Sequence, residues 1–199
     1  MTSATQGGRQ AERRAATRAK LLRAAGHVFA ARGFHGATLD EVAERAGVSK
    51  GAVYYNFASK DDLFVSLLEE RYDARLREMR AALERGDAAG AAGSGFLARL
   101  QRDPRWPPLF FEFVAYAARE PKVRARFGEW FDAMRAGLTE LVAARVEQLG
   151  IEPPLPPARL ALGIGALTNG MLIEALFDPG GEHGAAVDEL IALLLEGTR

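Results

Sequence analysis

The 199-residue chain contains no cysteine and only three histidines. The absence of cysteine excludes disulfides and thiolate metal sites. His27, His35 and His183 have no spacing typical of a metal site or a catalytic triad, and no glycine-rich phosphate-binding motif is present. We therefore expect no catalytic residue, no metal and no cofactor, and we interpret the protein as a binding protein rather than an enzyme.

A hydrophobic run near the N-terminus is also missing. The opening segment, MTSATQGGRQAERRAATRAK, lacks the apolar stretch of a secretory signal, so we expect a cytoplasmic protein. Residues 1–10 are polar and contain glycine, which predicts a disordered tail. No segment alternates apolar and polar residues with the period of a β-strand, and this predicts an all-α fold.

The net charge is zero, but the charges are unevenly distributed along the chain. Residues 1–60 contain 10 Lys and Arg against 4 Asp and Glu, a balance of +6, and residues 61–199 contain 16 against 22, a balance of −6. A basic N-terminal third is typical of a protein that binds a polyanion. The four arginines between residues 13 and 23 are equally compatible with a solvated helix face.

Residues 38–64, TLDEVAERAGVSKGAVYYNFASKDDLF, predict two short helices joined by a tight turn. Ala43, Gly47 and Val53 have the spacing of a helix-turn-helix unit. A small residue there lets the helices approach, glycine adopts the left-handed turn conformation, and a β-branched residue fills the angle. Such a unit places its second helix in the major groove of DNA.

The helix starts of this region support that interpretation. Thr38 with Glu41 predicts a capping box for the first helix, and Ser59 with Asp62 predicts one for the helix that follows the unit. The second helix, called the recognition helix below, begins after Ser49 and has no carboxylate in its first turn. An acid there would repel a phosphate, so its absence fits a helix end directed at DNA, with chance as the alternative.

Several side chains of the recognition helix are candidates for DNA contact. Lys50 projects from its N-terminal end, where side chains reach base edges. Because Val53 and Phe57 are expected to point inward, part of the run at 54–56 must face outward, where hydroxyl and amide groups contact phosphates and bases. One of the two tyrosines is alternatively expected to pack against the first helix. Lys60, at the next helix start, is placed to flank a phosphate.

These residues resemble the TetR family of bacterial transcriptional regulators, over roughly residues 15–65. The family pattern has an initial Thr, then A-G-V-S-x-G, an aromatic-rich run ending in Phe, and a Lys at the following helix start. The sequence departs from it at Asn56, where the family often has His or Tyr, and Ala52 offers no hydrogen bond. The resemblance implies phosphate contacts from Thr38, Tyr55, Asn56 and Lys60 and base or groove contacts from Lys50, Gly51 and Tyr54. Ser49, which opens the helix, is the eighth candidate DNA-binding residue.

The remaining chain is predicted to be helical. Predicted helices cover residues 12–32 with Gly33 as C-cap, then 59–85, 108–119, 122–149, 158–177 and 185–197, with a loop or weak helix at 86–95 and a short helix at 96–102. We expect three parts: a disordered tail at 1–10, a helix-turn-helix DNA-binding domain at 11–58, and a helical effector-binding and dimerisation domain at 59–199.

Aromatic residues cluster between positions 106 and 131. Such a cluster is more often plain core than a ligand site, and the sequence leaves both possibilities open. Members of the resembled family usually hold a small-molecule cavity among these helices. The resemblance therefore implies an apolar or aromatic effector site near Trp106, Phe110, Phe113, Phe127, Trp130 and Met134.

The predicted helix at 158–177 is apolar almost all round. Its three glycines and the polar Thr168, Asn169 and Glu174 argue against a membrane span. Burial against a second subunit, together with the helix at 185–197, explains it better and predicts a homodimer. The three polar residues are expected either to line the effector site, to which we assign Asn169, or to bond across the dimer; a glutamate in an aromatic pocket would favour a cationic effector.

The sequence therefore predicts a dimeric, sequence-specific repressor that binds a palindromic operator in double-stranded DNA. The helix beginning at Lys60 connects the DNA-binding unit to the effector domain, so a small hydrophobic or aromatic effector that displaces it is expected to release the DNA. The alternatives are an activator or an effector-independent regulator. A helical ligand-binding or scaffold protein without DNA specificity is the alternative from another class.

Overall fold

The computed structural model describes residues 3–86 and 103–196, and over these ranges the chain has eight helices and no strand. The helices are α1 (Ser3–Gly36), α2 (Leu39–Ala46), α3 (Lys50–Asn56), α4 (Lys60–Glu84), α5 (Trp106–Ala117), α6 (Pro121–Leu149), α7 (Pro157–Phe177) and α8 (His183–Glu196). The all-α prediction is confirmed. The predicted loop at 86–95, apart from Gly86, and the predicted helix at 96–102 lie outside the described residues.

The first helix differs from its prediction at the N-terminal end. It begins at Ser3, whereas residues 1–10 were expected to be a disordered tail. No proline separates Ser3 from Glu12, so the backbone hydrogen-bond ladder of the predicted helix continues backward without interruption. At the other end Gly33 has φ 72° and ψ 172°, which interrupts the helix at the predicted C-cap.

Helices α1 to α6 share one continuous set of buried apolar side chains, called the N-terminal cluster below. Its larger members are Phe29, Phe34, Val53, Phe57, Phe64, Phe113 and Trp130. The ring centroids of Phe64 and Phe113 are 4.3 Å apart, and those of Phe34 and Phe113 are 4.9 Å apart. The cluster crosses the predicted domain boundary at residues 58–59, so helices α1 to α3 pack directly on α4 and α5.

A second set of buried apolar side chains, the C-terminal cluster, joins α6, α7 and α8. It consists of Val142, Leu160, Ala161, Ile164, Leu172, Val187, Ile191 and Leu195. The opposite faces of α7 and α8 carry exposed apolar side chains. Helix α7 has the length and hydropathy of a membrane-crossing helix, with a mean hydropathy of 1.6, and 22% of that stretch is buried within the chain.

Helices α4 and α6 run side by side in the same direction. The Tyr72 hydroxyl donates to the carbonyl oxygen of Met134 at 2.6 Å, and the Gln148 amide donates to the carbonyl oxygen of Leu83 at 3.1 Å. Close approach depends on Gly137, because a Cβ at that position would lie 2.6 Å from a methyl group of Leu76. This parallel pair forms two walls of the cavity described below.

Candidate DNA-binding surface and effector cavity

The helix-turn-helix unit has the predicted turn and caps. Gly47 adopts the left-handed conformation, with φ 65° and ψ 38°. The Thr38 hydroxyl accepts from the Glu41 backbone N–H, and the Glu41 carboxylate accepts from the Thr38 N–H, which completes the capping box. The Ser49 hydroxyl accepts from the Ala52 N–H, and the first turn of α3 contains no acid. Local hydrogen bonds therefore fix where both helices begin.

One face of α3 is buried and the other is open. Val53 and Phe57 are buried in the N-terminal cluster. The exposed side of the unit carries six of the eight candidate DNA-contact residues: Thr38, Ser49, Lys50, Gly51, Tyr54 and Tyr55. Both tyrosines face outward, with exposed fractions of 60% and 69%, so neither packs into the core. The six side chains or backbone positions are therefore open to solvent and accessible to DNA.

Two residues of this surface, Lys50 and Tyr55, have charged neighbours. The Lys50 ammonium donates to the Asp40 carboxylate, and this hydrogen bond raises the pKa of Lys50. The Arg14 guanidinium lies 5.2 Å from the centre of the Tyr55 ring. Because the Lys50–Asp40 pair is exposed, a phosphate or base acceptor can replace Asp40 as the partner of Lys50 at small cost.

Asn56 and Lys60, the other two candidates, are engaged within the protein. The Asn56 amide nitrogen donates to the Ala52 carbonyl oxygen at 2.7 Å, and its amide oxygen is buried. The Lys60 ammonium donates to the carbonyl oxygens of His35 and Ala37 at 3.2 and 3.1 Å, and it lies 4.8 Å from the centre of the Phe34 ring. In this conformation Lys60 joins the start of α4 to the corner between α1 and α2.

Arg18 has a structural role that the charge pattern did not indicate. Its guanidinium donates to the Asn56 carbonyl oxygen at 3.3 Å and to the Ser66 hydroxyl at 2.9 Å. It also lies 4.5 Å from the centre of the Phe57 ring. The alternative of a solvated helix face therefore does not hold for Arg18, because tertiary contacts with α3 and α4 hold this side chain.

Helix α5 contacts α1 beside the kink at Gly33. The Glu112 carboxylate of α5 accepts from the backbone N–H groups of Phe34 and His35, at 3.1 and 3.0 Å. A Cβ at Gly33 would lie 3.0 Å from the same carboxylate, in addition to the strain of a positive φ. Sequence reasoning missed Glu112, because its partners lie 77 and 78 residues away along the chain.

A largely apolar cavity of about 240 Å³ lies between α4, α5, α6, α7 and α8. Five of the seven predicted effector-site residues line it: Trp106, Phe110, Trp130, Met134 and Asn169. Phe113 and Phe127 do not. Phe113 is fully buried among Phe34, Phe64 and Phe127, so these two rings belong to the N-terminal cluster.

The polar residues of α7 separate in the structure. Thr168 and Asn169 line the cavity, and the Thr168 hydroxyl donates to the Ile164 carbonyl oxygen at 2.7 Å. Glu174 is exposed and lies outside the cavity. The cationic effector that a glutamate in the pocket would have favoured therefore loses its basis.

Other lining residues were not identified from the sequence. Helix α4 contributes Arg71, Tyr72 and Arg75, and α6 contributes Arg145. Burial raises the pKa of Tyr72 to about 12, and the hydroxyl donates to Met134 as described above. Arg71 and Arg75 lie one helical turn apart on the face that carries Tyr72. This spacing in the sequence could have identified them as lining residues. No cluster of three metal-ligating side chains occurs in the part of the chain that the structure describes.

Comparison with known proteins agrees with this architecture. Residues 21–67 match the family of bacterial regulatory proteins, tetR family, and residues 86–198 match the family of the BetI-type transcriptional repressor, C-terminal. The second match covers more than half of the chain. The protein is a helix-turn-helix transcriptional regulator, and it belongs to the TetR family.

Individual relatives agree with this assignment. The HTH-type transcriptional activator FasR of Mycolicibacterium smegmatis is 33% identical over 132 residues, which are 63% of this chain and 58% of FasR. The HTH-type transcriptional regulator YfiR of Bacillus subtilis is 27% identical over 164 residues, 80% of each chain. The structure of FadR from Bacillus subtilis in complex with stearoyl-CoA shares the fold, with a TM-score of 0.69, 18% identity, and coverage of 90% of this chain and 98% of FadR.

Proposed function

We propose that this protein binds a palindromic operator as a homodimer and that a small apolar or aromatic effector in the cavity controls that binding. The observation that carries the proposal is the course of α4. Its first residue, Lys60, donates to the corner between α1 and α2, and its later turns line the cavity from Leu68 to Leu83. A ligand that changes the position of α4 therefore changes the position of the DNA-binding helices.

For the DNA contacts, we assign base or groove contacts to Lys50, Gly51 and Tyr54. We assign phosphate contacts to Thr38 and Tyr55. The exposure of these residues and the absence of acid from the first turn of α3 support the assignment. Asn56 and Lys60 join the phosphate contacts once DNA replaces their present partners, while Ser49 acts as the cap that positions the helix.

For the dimer, we assign the interface to the exposed faces of α7 and α8. These faces carry Leu162, Ile173, Phe177, Leu190 and Leu193, with exposed fractions between 38% and 84%. A patch of this kind on a water-soluble chain is typical of a contact surface. Two copies joined there supply two recognition helices for half-sites about 34–36 Å apart, one turn of DNA. A protein of this kind acts where the chromosome is, in the cytoplasm.

The dimer has a direct test. Leu193→Glu places a charge in the interface and is expected to give a monomer by light scattering at micromolar concentration. Leu155→Glu is the matched control, because Leu155 is 45% exposed but lies in the connector before α7. A wild-type protein that is already monomeric would contradict the proposed interface.

The effector can act only through a difference in affinity between two conformations. One conformation places the two recognition helices at the operator spacing, and the other does not. Glu112 provides a second connection beside α4, since α5 lines the cavity through Trp106 and Phe110 and also binds the backbone at Gly33. If ligand binding moves α4 or α5, we expect the recognition helix to move as well.

We propose a repressor, and the match of the C-terminal part to a repressor family supports that direction. An activator is the second candidate, because FasR carries that name. Transcription in vitro from a promoter with the bound site distinguishes the two. A repressor lowers the transcript level in the absence of effector, and an activator raises it.

The central test is selection of bound DNA from random duplexes, followed by a search for apolar compounds that release the selected DNA. We expect an inverted repeat and at least one compound that lowers operator affinity at saturation. Steep salt dependence with no preferred sequence would contradict specific recognition and favour a scaffold protein. Operator affinity that stays constant with a saturating bound ligand would exclude the allosteric step.

A further inference from the structure

The charged residues of the cavity lining are all arginines. Across the described residues, the lining includes Arg71, Arg75 and Arg145 and no aspartate or glutamate. Two of them have acidic neighbours. The Arg71 guanidinium lies 3.4 Å from the Asp103 carboxylate, and the Arg75 guanidinium lies 3.9 Å from the Glu78 carboxylate. Arg145 makes no ion pair with any residue in the described ranges. The lining therefore has an excess of positive charge.

This excess charge has a preferred partner. A guanidinium that is half-buried against apolar surface loses part of its hydration, and an anion restores favourable interactions. The planar fork of arginine donates two parallel hydrogen bonds to a carboxylate or phosphate group. A neutral ligand in the same cavity would leave the partly buried Arg145 guanidinium without an anionic partner.

The cavity is elongated, and its two ends differ. The lining extends along α4 from Leu68 to Leu83 and along α6 from Trp130 to Arg145. Each stretch spans about four turns of helix, or about 22 Å. The bond between Gln148 and Leu83 places Arg145 toward the C-terminal end of this stretch of α4.

The opposite end is aromatic. Arg71 lies near the start of the α4 stretch, with its guanidinium 3.8 Å from the centre of the Trp106 ring. Phe110 and Trp130 line the cavity with Trp106, and the ring centroids of Phe110 and Trp130 are 6.4 Å apart. An apolar cavity of about 150 Å³ holds benzene, so a volume of about 240 Å³ holds a larger apolar group.

We propose that the effector is an elongated amphiphile with an anionic head, whose head binds Arg145 and whose apolar chain extends toward Trp106 and Trp130. This inference rests on the proposed function, since it names the ligand class of the same cavity. Carboxylate and phosphate heads share the required chemistry. Arg145 is then the residue that determines specificity for charge, and the aliphatic and aromatic lining determines the accepted chain.

The test compares ligands that share one chain and differ in the head. Laurate, lauryl phosphate, lauryl alcohol and lauryl-trimethylammonium are titrated into the full-length protein below their micelle-forming concentrations. The readout is tryptophan fluorescence, because the only two tryptophans of the chain both line the cavity. We expect laurate or lauryl phosphate to bind at least about tenfold more tightly than the alcohol, the effect of one charge-assisted hydrogen bond.

Variants of Arg145 test whether this residue binds the anionic head of the ligand. Arg145→Gln is expected to abolish the preference for the anion and to leave the affinity for lauryl alcohol unchanged. Arg145→Lys keeps the charge and is expected to retain most of the preference. Arg124→Gln is the matched control, since Arg124 is an exposed arginine of the same helix outside the cavity.

Each outcome decides the proposal. Equal binding of anion and alcohol, tightest binding of the cationic amphiphile, or no binding of any probe would overturn it. An anion preference that survives in Arg145→Gln would overturn the assignment of the head to Arg145. The proposed function would fail by a different measurement, in which no apolar compound of any charge alters operator binding.

Discussion

The N-terminal cluster and the space between the two apolar clusters differ in how completely they are filled. In the N-terminal cluster the rings of Phe34, Phe64 and Phe113 pack against one another, with centroids 4.3 to 5.4 Å apart. Between that cluster and the C-terminal cluster, side chains of similar size leave a cavity of about 240 Å³. Close packing transmits movement as a unit, whereas an unfilled apolar cavity is available to a ligand. The difference separates the part that positions the DNA-binding helices from the part that senses.

The largest expected effect tests this comparison directly. Phe113→Ala removes a fully buried ring and is expected to lower the free energy of unfolding by about 3–5 kcal/mol. Phe110→Ala is the matched variant on the same helix, and we expect it to cost about 1–2 kcal/mol less, because its ring faces the cavity and loses fewer contacts. Urea unfolding at one protein concentration measures both. Equal losses would indicate that Phe110 is ordinary core.

The second prediction concerns the DNA-binding surface, which the close packing holds in place. Lys50→Ala and Tyr54→Ala are each expected to weaken operator binding by about 1–3 kcal/mol if they contact bases. Both side chains are exposed, so the free energy of unfolding should change little. Lys122→Ala, an exposed lysine at the start of α6, is the control. Unchanged operator affinity in both variants would contradict the assigned contacts.

The third prediction concerns the junction between the two regions. Glu112→Gln leaves one carbonyl acceptor for the two backbone donors of Phe34 and His35 and is expected to cost about 1–2 kcal/mol of stability. Glu147→Gln, an exposed carboxylate of α6, is the control and should have no measurable effect. Thermal unfolding of both variants gives the comparison. A loss as small as that of the control would show that the Glu112 contacts add no stability.

The smallest expected effects come from two glycines, Gly165 of α7 and Gly137 of α6. At Gly165 a Cβ would lie 3.9 Å from Leu138, an ordinary contact, so Gly165→Ala should stabilise the protein by about 0.5–1 kcal/mol. At Gly137 a Cβ would lie 2.6 Å from Leu76, so Gly137→Ala should cost about 1 kcal/mol through overpacking. Denaturant unfolding measures the change in the free energy of unfolding for both variants, including its sign. A stabilising Gly137→Ala would show that the Leu76 side chain moves aside and that the gain in helix propensity exceeds the cost of overpacking.

Local interactions made much of this protein predictable. The Thr38–Glu41 capping box, the left-handed Gly47 and the Ser49 cap involve residues within a few positions of one another, so the sequence pattern contains all the partners. The helix boundaries follow from the same short-range hydrogen bonds and from the apolar periodicity. The departure at residues 3–10 arose because polar composition predicts solvent exposure better than it predicts the absence of a helix.

The tertiary structure decided how the candidate residues are used. Trp106 and Phe110 line a cavity while Phe113 does not, although all three lie on one short apolar helix. Lys60 and Asn56 are occupied by partners within the protein, and Glu112 and Arg145 gain their significance from helices far away in the sequence. The sequence alone determined an all-α chain with a helix-turn-helix unit of the TetR type. A cavity arises where side chains from distant helices fail to fill the space between them, and only the packed structure specifies that volume.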